Sequence, residues 1–260
     1  MKICVLLKQV PDKNHPLTIS DDHRSLEDDH ITWVSNESDN YALEEALLMK
    51  EAHGGEVVAC TLGRSSAEQV LKDAMAKGAD RSIFLSDEKF DDLDILSLAK
   101  VFSSVLKDEK FDLILSGLQS DDLGNSQLGL LLAELLNMSH ASLVMGADII
   151  NDSTIKVKRE LESGWFQWSE LSLPASISIQ SGINTPRYAT LKGIMMVKKK
   201  PLVRLSSQDM NIKNPSPKVS LQKLYAPEKS KETIFIDGSP DEIANKLVDV
   251  FTNEIKVLSR

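Results

Sequence analysis

Most of the residues that could do chemistry fall in three loops. Lys8-Gln9-Val10-Pro11-Asp12 follows a first apolar run, Ser35-Asn36-Glu37-Ser38-Asp39 leads into a first helical segment, and GLQSDDLGNSQLG (117–129) follows a later apolar run. This last stretch sets Gly117, Gly124 and Gly129 among small polar residues: Gln119, Ser120, Asp121, Asp122, Asn125, Ser126 and Gln127. Leu123 and Leu128 complete it before a leucine-dense helix. Backbone N–H groups at such a helix start attract phosphate, each favourable helix-end charge contributing about 0.3–1 kcal/mol. The stretch matches neither GxGxxG nor the P-loop. An ordinary polar strand-to-helix loop with an Asx turn accounts for the same residues. Lys8 equally suits a strand-end surface lysine, and Asn36 to Asp39 suit helix capping, Asp39 above all.

Other chemistries find little support. No nucleophile has a base with a reason to be close, and the adjacent Asp121-Asp122 reads as a solvated pair. The five histidines pair with no cysteine or carboxylate at ligand spacing, so no metal site is expected. Cys4 and Cys60 sit inside apolar runs (KICVLL, VVACTL) and read as reduced, buried small hydrophobes.

A second kind of signal is the segment NTPRYATLKGIMMVKKK (184–200). It holds four lysines and Arg187 within a chain whose net charge is −9. Tyr188 and the apolar Leu191, Ile194 and Met195 lie among these cations. A solvated basic loop that caps a sheet is one reading. The other is a docking surface, where charge steers an acidic partner and an apolar anchor fixes it.

The elements that must position these loops alternate. Apolar runs KICVLL (2–7), EVVACTL (56–62), RSIFL (81–85), DLILS (112–116) and ASISI (175–179) read as strands buried on both faces. Between them lie helical segments. The first, YALEEALLMKEAH (41–53), stops at Gly54-Gly55. The second opens on a Ser65–Glu68 capping box and stops at Gly78, the third spans about 92–107, and the fourth about 126–136. This alternation predicts an α/β fold with a mostly parallel, doubly wound sheet. Two period-2 runs around Gly164 (153–173) add a β-hairpin. From Asn184 to Ser230 five prolines (Pro186, Pro201, Pro215, Pro217, Pro227) predict an extended arm. Ser239-Pro240-Asp241-Glu242 then opens a terminal helix whose stripe carries Ile243, Leu247, Val250, Phe251 and Ile255.

The 260 residues suffice for a sizeable core, and 42% apolar with 27% charged residues is an ordinary globular balance. The acidic net charge argues against nucleic acid. No signal-like segment opens the chain and no apolar run reaches membrane-spanning length, so a soluble, cytoplasmic protein is expected.

NTPRYATLKGIMMVKKKPL resembles the signature of electron-transfer flavoprotein β-subunits. The opening KICVLLKQVPD, the YALEEAL helix, AMAKGADRSIFL, GLQSDD, KRELESG and LPASISIQ also follow the order of that family, so the resemblance covers roughly residues 1–205. It implies a Rossmann-like adenine-nucleotide-binding fold and an electron carrier with no bond-making chemistry of its own. It further implies a larger α-subunit sharing FAD at the interface, and an AMP bound within this domain. Dehydrogenases would donate electrons, and a quinone reductase or another acceptor would take them.

Matching positions for the nucleotide are Leu6, Lys8, Asn36, Glu37, Ser38, Asp39, Leu62 and Gly117 through Leu128. Arg187, Tyr188, Leu191, Ile194 and Met195 match the partner-recognition loop, with Leu191 as the anchor. The implied organisation is a nucleotide-binding domain (1–183), a recognition loop (184–205), and an arm and helix packing on the partner (206–260). The family's second acid and threonine hydroxyl are here Gly124 and Leu128, so Ser126 and backbone amides would serve the phosphate. Lys13 and Ser38 stand where the family often has an apolar or aromatic residue against the flavin. Lys13 could stabilise reduced flavin or face solvent. Two rival functions are a bifurcating subunit with a second FAD in place of AMP and a stand-alone adenine-nucleotide-binding enzyme.

Overall fold

A computed structural model describes residues 1–27, 31–90, 92–210, 212, 216–227 and 233–257. Two compact units divide the chain, Met1–Lys223 and Leu224–Arg260. In the first, the strands are β1 (Lys2–Leu6), β2 (Gln9–Pro11), β3 (Trp33–Ser35), β4 (Glu56–Leu62), β5 (Arg81–Leu85), β6 (Leu113–Gly117), β7 (Ser139–Asn151), β8 (Thr154–Glu160), β9 (Phe166–Ser172), β10 (Ala175–Ile179) and β11 (Leu202–Leu205). The helices are α1 (Glu37–His53), α2 (Glu68–Lys77), α3 (Ile95–Glu109), α4 (Leu128–Leu136) and α5 (Leu191–Met196). The second unit holds α6 (Pro240–Asp249), continued by a π turn over Val250–Glu254.

Among the described residues nine strands form one sheet in the order β11-β5-β4-β1-β6-β10-β7-β8-β9. Pairing is parallel from β11 through β7, and antiparallel from β7 to β8 and β8 to β9. This is the α/β, mostly parallel sheet that the alternating runs predict, and it agrees with the Rossmann-like fold that the family resemblance implies. Side chains on a strand alternate between faces, so a strand covered on both sides must be apolar throughout. In β1, Ile3 and Val5 join a core with Leu43, Leu47 and Leu71 of α1 and α2, while Cys4 and Leu6 join one with Phe102 and Leu132 of α3 and α4. Cys4 and Cys60 are both free and buried, and burial pushes the Cys4 thiol well up.

Three expectations change. The capping box at Ser65 does not form. Ser65–Ala67 is a 3₁₀ turn, and the carboxylate of Glu68 instead meets Arg204 at 2.7 Å and Lys72 at 3.0 Å. The stretch from Asn184 is not extended throughout, since it forms α5 and then β11, which pairs with β5. Its Pro215 lies outside the described residues. The 13-residue β7 has no counterpart among the apolar runs. A register shift between Val144 and Gly146, next to Leu143 at φ 58°, breaks its two-residue period. The hairpin is β8 and β9, joined through a 3₁₀ turn at Glu162–Gly164. At the chain's far end the expected capping box forms, with Glu242 accepting from the Ser239 amide at 2.8 Å, and the same carboxylate also accepts from the Ser239 hydroxyl at 2.8 Å.

Glycine at 117 is a packing requirement. A Cβ there would lie 2.2 Å from Ser38 Oγ and 2.4 Å from Asp39 Oδ1. Gly117→Ala therefore separates β6 from the start of α1, and should lower stability by about 1–3 kcal/mol in urea unfolding. An unchanged midpoint would mean that this contact is soft.

Candidate functional site

The carboxyl ends of β1, β4 and β6 form one rim, and a single buried carboxylate ties it together. Asp39, in the first turn of α1, turns inward and accepts from the Lys8 amide at 2.7 Å and the Gly117 amide at 3.0 Å. It is no helix cap. It joins the end of β1 to the end of β6. Burial pushes its pKa up to about 7, against the lowering effect of its hydrogen-bond donors.

Asn36 is the residue before α1, yet its side chain does not cap that helix. Its amide nitrogen donates to Gln119 O at 2.9 Å and to Ser38 Oγ at 3.0 Å, and its oxygen accepts from the Asp121 amide at 2.9 Å. Ser38 Oγ donates to the same Gln119 carbonyl at 2.7 Å. Asn36 and Ser38 therefore hold the start of the 117–128 loop against the start of α1. The ammonium of Lys8 reaches across to Asp122 Oδ1 at 2.7 Å and Ser120 Oγ at 3.3 Å. Partial burial would raise the Asp122 carboxyl, but the charge and hydrogen bond of Lys8 hold it below its ordinary range.

Further along the loop the Gly124 amide donates to Ser120 O, and Ser126, at φ 55°, donates from its hydroxyl to Gln119 Oε1 at 3.1 Å. Gly124, at φ 60°, faces open space, and Leu123 and Asn125 are exposed. Gln127, before α4, makes no side-chain cap either. Two helices thus open at one rim, and neither has its N-cap side chain bonded to its first-turn amides. Gly129 lets α4 approach the sheet, because a Cβ there would lie 2.6 Å from Ser178 Oγ. Leu6 is buried at the end of β1 and Leu62 half-buried at the end of β4. Glu37 and Lys13 form an exposed ion pair at 2.6 Å. That pair gives Lys13 a surface partner, and the hydrogen bond to Glu37 raises its pKa.

Gln9 of the first loop and Ser66 of the expected capping box carry a link that no local pattern announces: the Ser66 hydroxyl donates to Gln9 Oε1 at 2.8 Å and ties the first loop to the one after β4. The sequence pattern gives Glu44 and Glu51 no role. The guanidinium of Arg187 points inward, bidentate on the buried Glu44 (Nη2 to Oε1 and Nε to Oε2, both 2.9 Å) and bonded to Glu51 as well. Asn184 donates to Tyr41 O and to Glu45 Oε2. The seven-residue spacing of Glu44 and Glu51, two turns on one helix face, was the available signal. At the far end of the segment the Lys200 ammonium donates to Met75 O at 2.8 Å and Ala79 O at 2.6 Å. Between these pins Tyr188 is 93% and Leu191 82% exposed, with Ile194 and Met195 beside them. Thr190 caps α5, accepting from the Gly193 amide at 3.0 Å.

The whole chain can now be set beside known proteins. Residues 25–210 match the family model described as "Electron transfer flavoprotein domain". The chain belongs to the electron transfer flavoprotein family. It is 34% identical over 261 residues to the electron transfer flavoprotein subunit beta of Bacillus subtilis, covering 99% of this chain and 100% of that one. The corresponding subunit of Methylophilus methylotrophus is 33% identical, with 98% and 99% covered. The mitochondrial subunit beta of Oryza sativa subsp. indica is 32% identical, with 99% and 100% covered. Among the described residues no helix is long and apolar enough to cross a membrane, and no three His, Cys, Asp or Glu residues are grouped to hold a metal.

Asp39→Asn would set an amide donor against one of two backbone N–H groups, at a cost of about 1–3 kcal/mol near pH 4. Because the folded protein holds the Asp39 proton more tightly than the unfolded chain does, this carboxyl stabilises fully below its ordinary pKa of 3.8 and loses that contribution as pH rises through about 7. Urea unfolding should therefore show the gap between wild type and variant narrowing from pH 4 to pH 7. A gap that widens would contradict the assignment.

Proposed function

We propose that this chain is the β-type subunit of a heterodimeric electron-transfer flavoprotein, with FAD shared with a larger α-subunit and an AMP held at its own rim. The observation that carries the reading is the convergence of the α1 and α4 starts, both without N-cap side-chain bonds, on the carboxyl ends of parallel strands. That donor set suits one phosphate group, since helix-start amides favour an anion. Ligands of open α/β sheets bind at such carboxyl ends. The loop from Gly117 to Leu128 supplies backbone and the Ser126 hydroxyl in place of the acid and threonine that the family pattern has there. Lys8 keeps Asp122 drawn aside, so that the loop's own acid is neutralised beside an anion. Bound FAD supplies the electron-carrying chemistry. This chain's part is to hold the adenylate, to join the α-subunit, and to present a docking tip, with no bond-making chemistry of its own.

The tip is the exposed Tyr188, Leu191, Ile194 and Met195 among lysines, in an otherwise acidic chain. Charge steers a dehydrogenase donor while Leu191 anchors it. A small interface, below about 1,200 Å² in total, suits the fast release that turnover requires. Arg187 serves from beneath by fixing the segment to α1. A quinone reductase or another acceptor takes the electrons downstream, and the cytoplasm is the expected compartment. The arm beyond residue 205 and the partly exposed apolar stripe of α6 suit packing on the α-subunit.

Co-purification with the larger subunit should yield one FAD and one AMP per heterodimer by mass analysis of released nucleotides, whereas two flavins would replace the AMP assignment with a second FAD. Leu191→Ala should raise the dehydrogenase's KM for the carrier roughly tenfold, as expected for about 1.5 kcal/mol of lost apolar burial, and leave flavin content unchanged. Loss of flavin would make Leu191 a packing residue instead.

A further inference from the structure

One stripe of α1 serves both the rim and the docking segment (184–200). Asn40, Glu44, Leu47 and Glu51 recur at helical spacing along that helix. Asn40 stands one residue after Asp39, the pin of the rim, and its side chain works in two directions. Its amide nitrogen donates to Asn36 O at 3.1 Å, and its oxygen accepts from the half-buried Lys77 ammonium at 2.9 Å. On the rim side, Asn36 holds the 117–128 loop through Gln119 and Asp121. On the other side, Lys77 closes α2, and the last turn of α2 is the seat of the docking segment. Lys200 donates there to Met75 O and Ala79 O, and a Cβ on Gly193 would lie 2.1 Å from Ala76 O. One turn further along α1, about 6 Å, Glu44 holds Arg187, while Tyr41 O and Glu45 hold Asn184. Leu47 lies against Gly78, and Lys50 reaches Asp80 at 2.6 Å. Both flanks of the docking segment therefore rest on α1 and α2, and Asn40 is where that wiring meets the rim.

We propose that Asn40 is a positioning residue that couples the nucleotide rim to the docking segment, so that an adenylate bound at the rim orders residues 184–200. This rests on the adenylate reading of the rim given above and adds a regulation to that site. The physical reason is local. No N-cap side chain bonds the first-turn amides of α1, so that turn draws part of its order from whatever binds there. The Asn36 carbonyl accepts from the Asn40 main-chain amide at 3.3 Å as well as from its side chain. A first turn that frays therefore moves this acceptor, and the partner of Lys77 moves with it. A phosphate on the first-turn amides closes the turn and holds Asn40 in place. A segment ordered by one ligand costs less to order for the next, which is positive coupling without a new contact between the two ligands. The nucleotide thereby sets how ready the docking tip is.

The test uses the heterodimer stripped of nucleotide, with AMP as the probe and hydrogen exchange as the readout. In wild type, saturating AMP should slow exchange of 117–128 and also, roughly fivefold, that of 184–200. Asn40→Ala should keep the effect of AMP at 117–128 and lose it at 184–200. Asn40→Asp keeps an acceptor for Lys77 but cannot donate to the Asn36 carbonyl. It should melt at or above the wild-type temperature and still lose the effect at 184–200, which separates coupling from stability. Lys77→Met leaves the rim side of Asn40 intact, so it should lose the effect at 197–200 and keep it at 184–187. A wild-type docking segment that AMP leaves unchanged, while 117–128 slows, overturns the proposal. So does an Asn40→Ala variant that responds at 184–200 as fully as wild type. AMP that slows exchange at neither place would sink the adenylate reading of the rim itself.

Discussion

The architecture of the rim depends on where one carboxylate goes. Asp39 could have capped α1 from outside. Instead it is buried and accepts the amides of Lys8 and Gly117, two backbone groups that the ends of β1 and β6 would otherwise leave without partners. A buried orphan amide costs about as much as a lost hydrogen bond or more, so the carboxylate is held there even though burial raises its pKa to about 7. Other features follow from that choice. Residue 117 must be glycine, because Ser38 and Asp39 occupy the space of its Cβ. Asn36, relieved of capping by the approach of the loop, holds Gln119 and Asp121. The start of α1 then keeps its first-turn amides free of an N-cap side chain, on the same rim where α4 does likewise.

A second constraint acts on the docking segment. An apolar side chain held out in water loses affinity if binding must first order it, since each rotamer-rich side chain or loop fixed on binding costs free energy. Here the ordering is done in advance. Arg187 on Glu44 and Glu51, Asn184 on Tyr41 and Glu45, and Lys200 on the end of α2 fix both flanks, while Gly193 allows α5 to lie close over Ala76. The sequence block that marks the family therefore divides physically: Asn184, Arg187 and Lys200 face inward and set the frame, and Tyr188 and Leu191 face out.

Much of this was legible in the residues. Continuous apolar runs located β1, β4, β5, β6 and β10, because strands covered on both faces leave no polar alternation, and Gly54 and Gly78 marked helix ends correctly. β7 was not legible, since its bulge at Val144–Gly146 shifts the alternating period and much of it is only half-buried. β11 is four residues on an edge, too short to stand out from its lysine-rich surroundings. The three loops at the rim were visible as clusters of small polar residues, but their wiring was not. Asp39 as a pin, Asn36 as a loop holder and Arg187 as an inward anchor depend on contacts 31 to 143 residues apart, and no local pattern encodes these. The Ser65 capping box shows the reverse case, a valid local motif displaced when Arg204 and Lys72 drew Glu68 away.

The central claim is that the paired helix starts at this rim hold an adenylate phosphate. A crystal structure of the co-purified heterodimer with its native nucleotides tests it most directly. The account predicts a phosphate within hydrogen-bond reach of the amides at 125–130, with the Asp39 bridge between Lys8 and Gly117 intact. A rim filled by protein side chains, with the adenylate bound elsewhere, would contradict it.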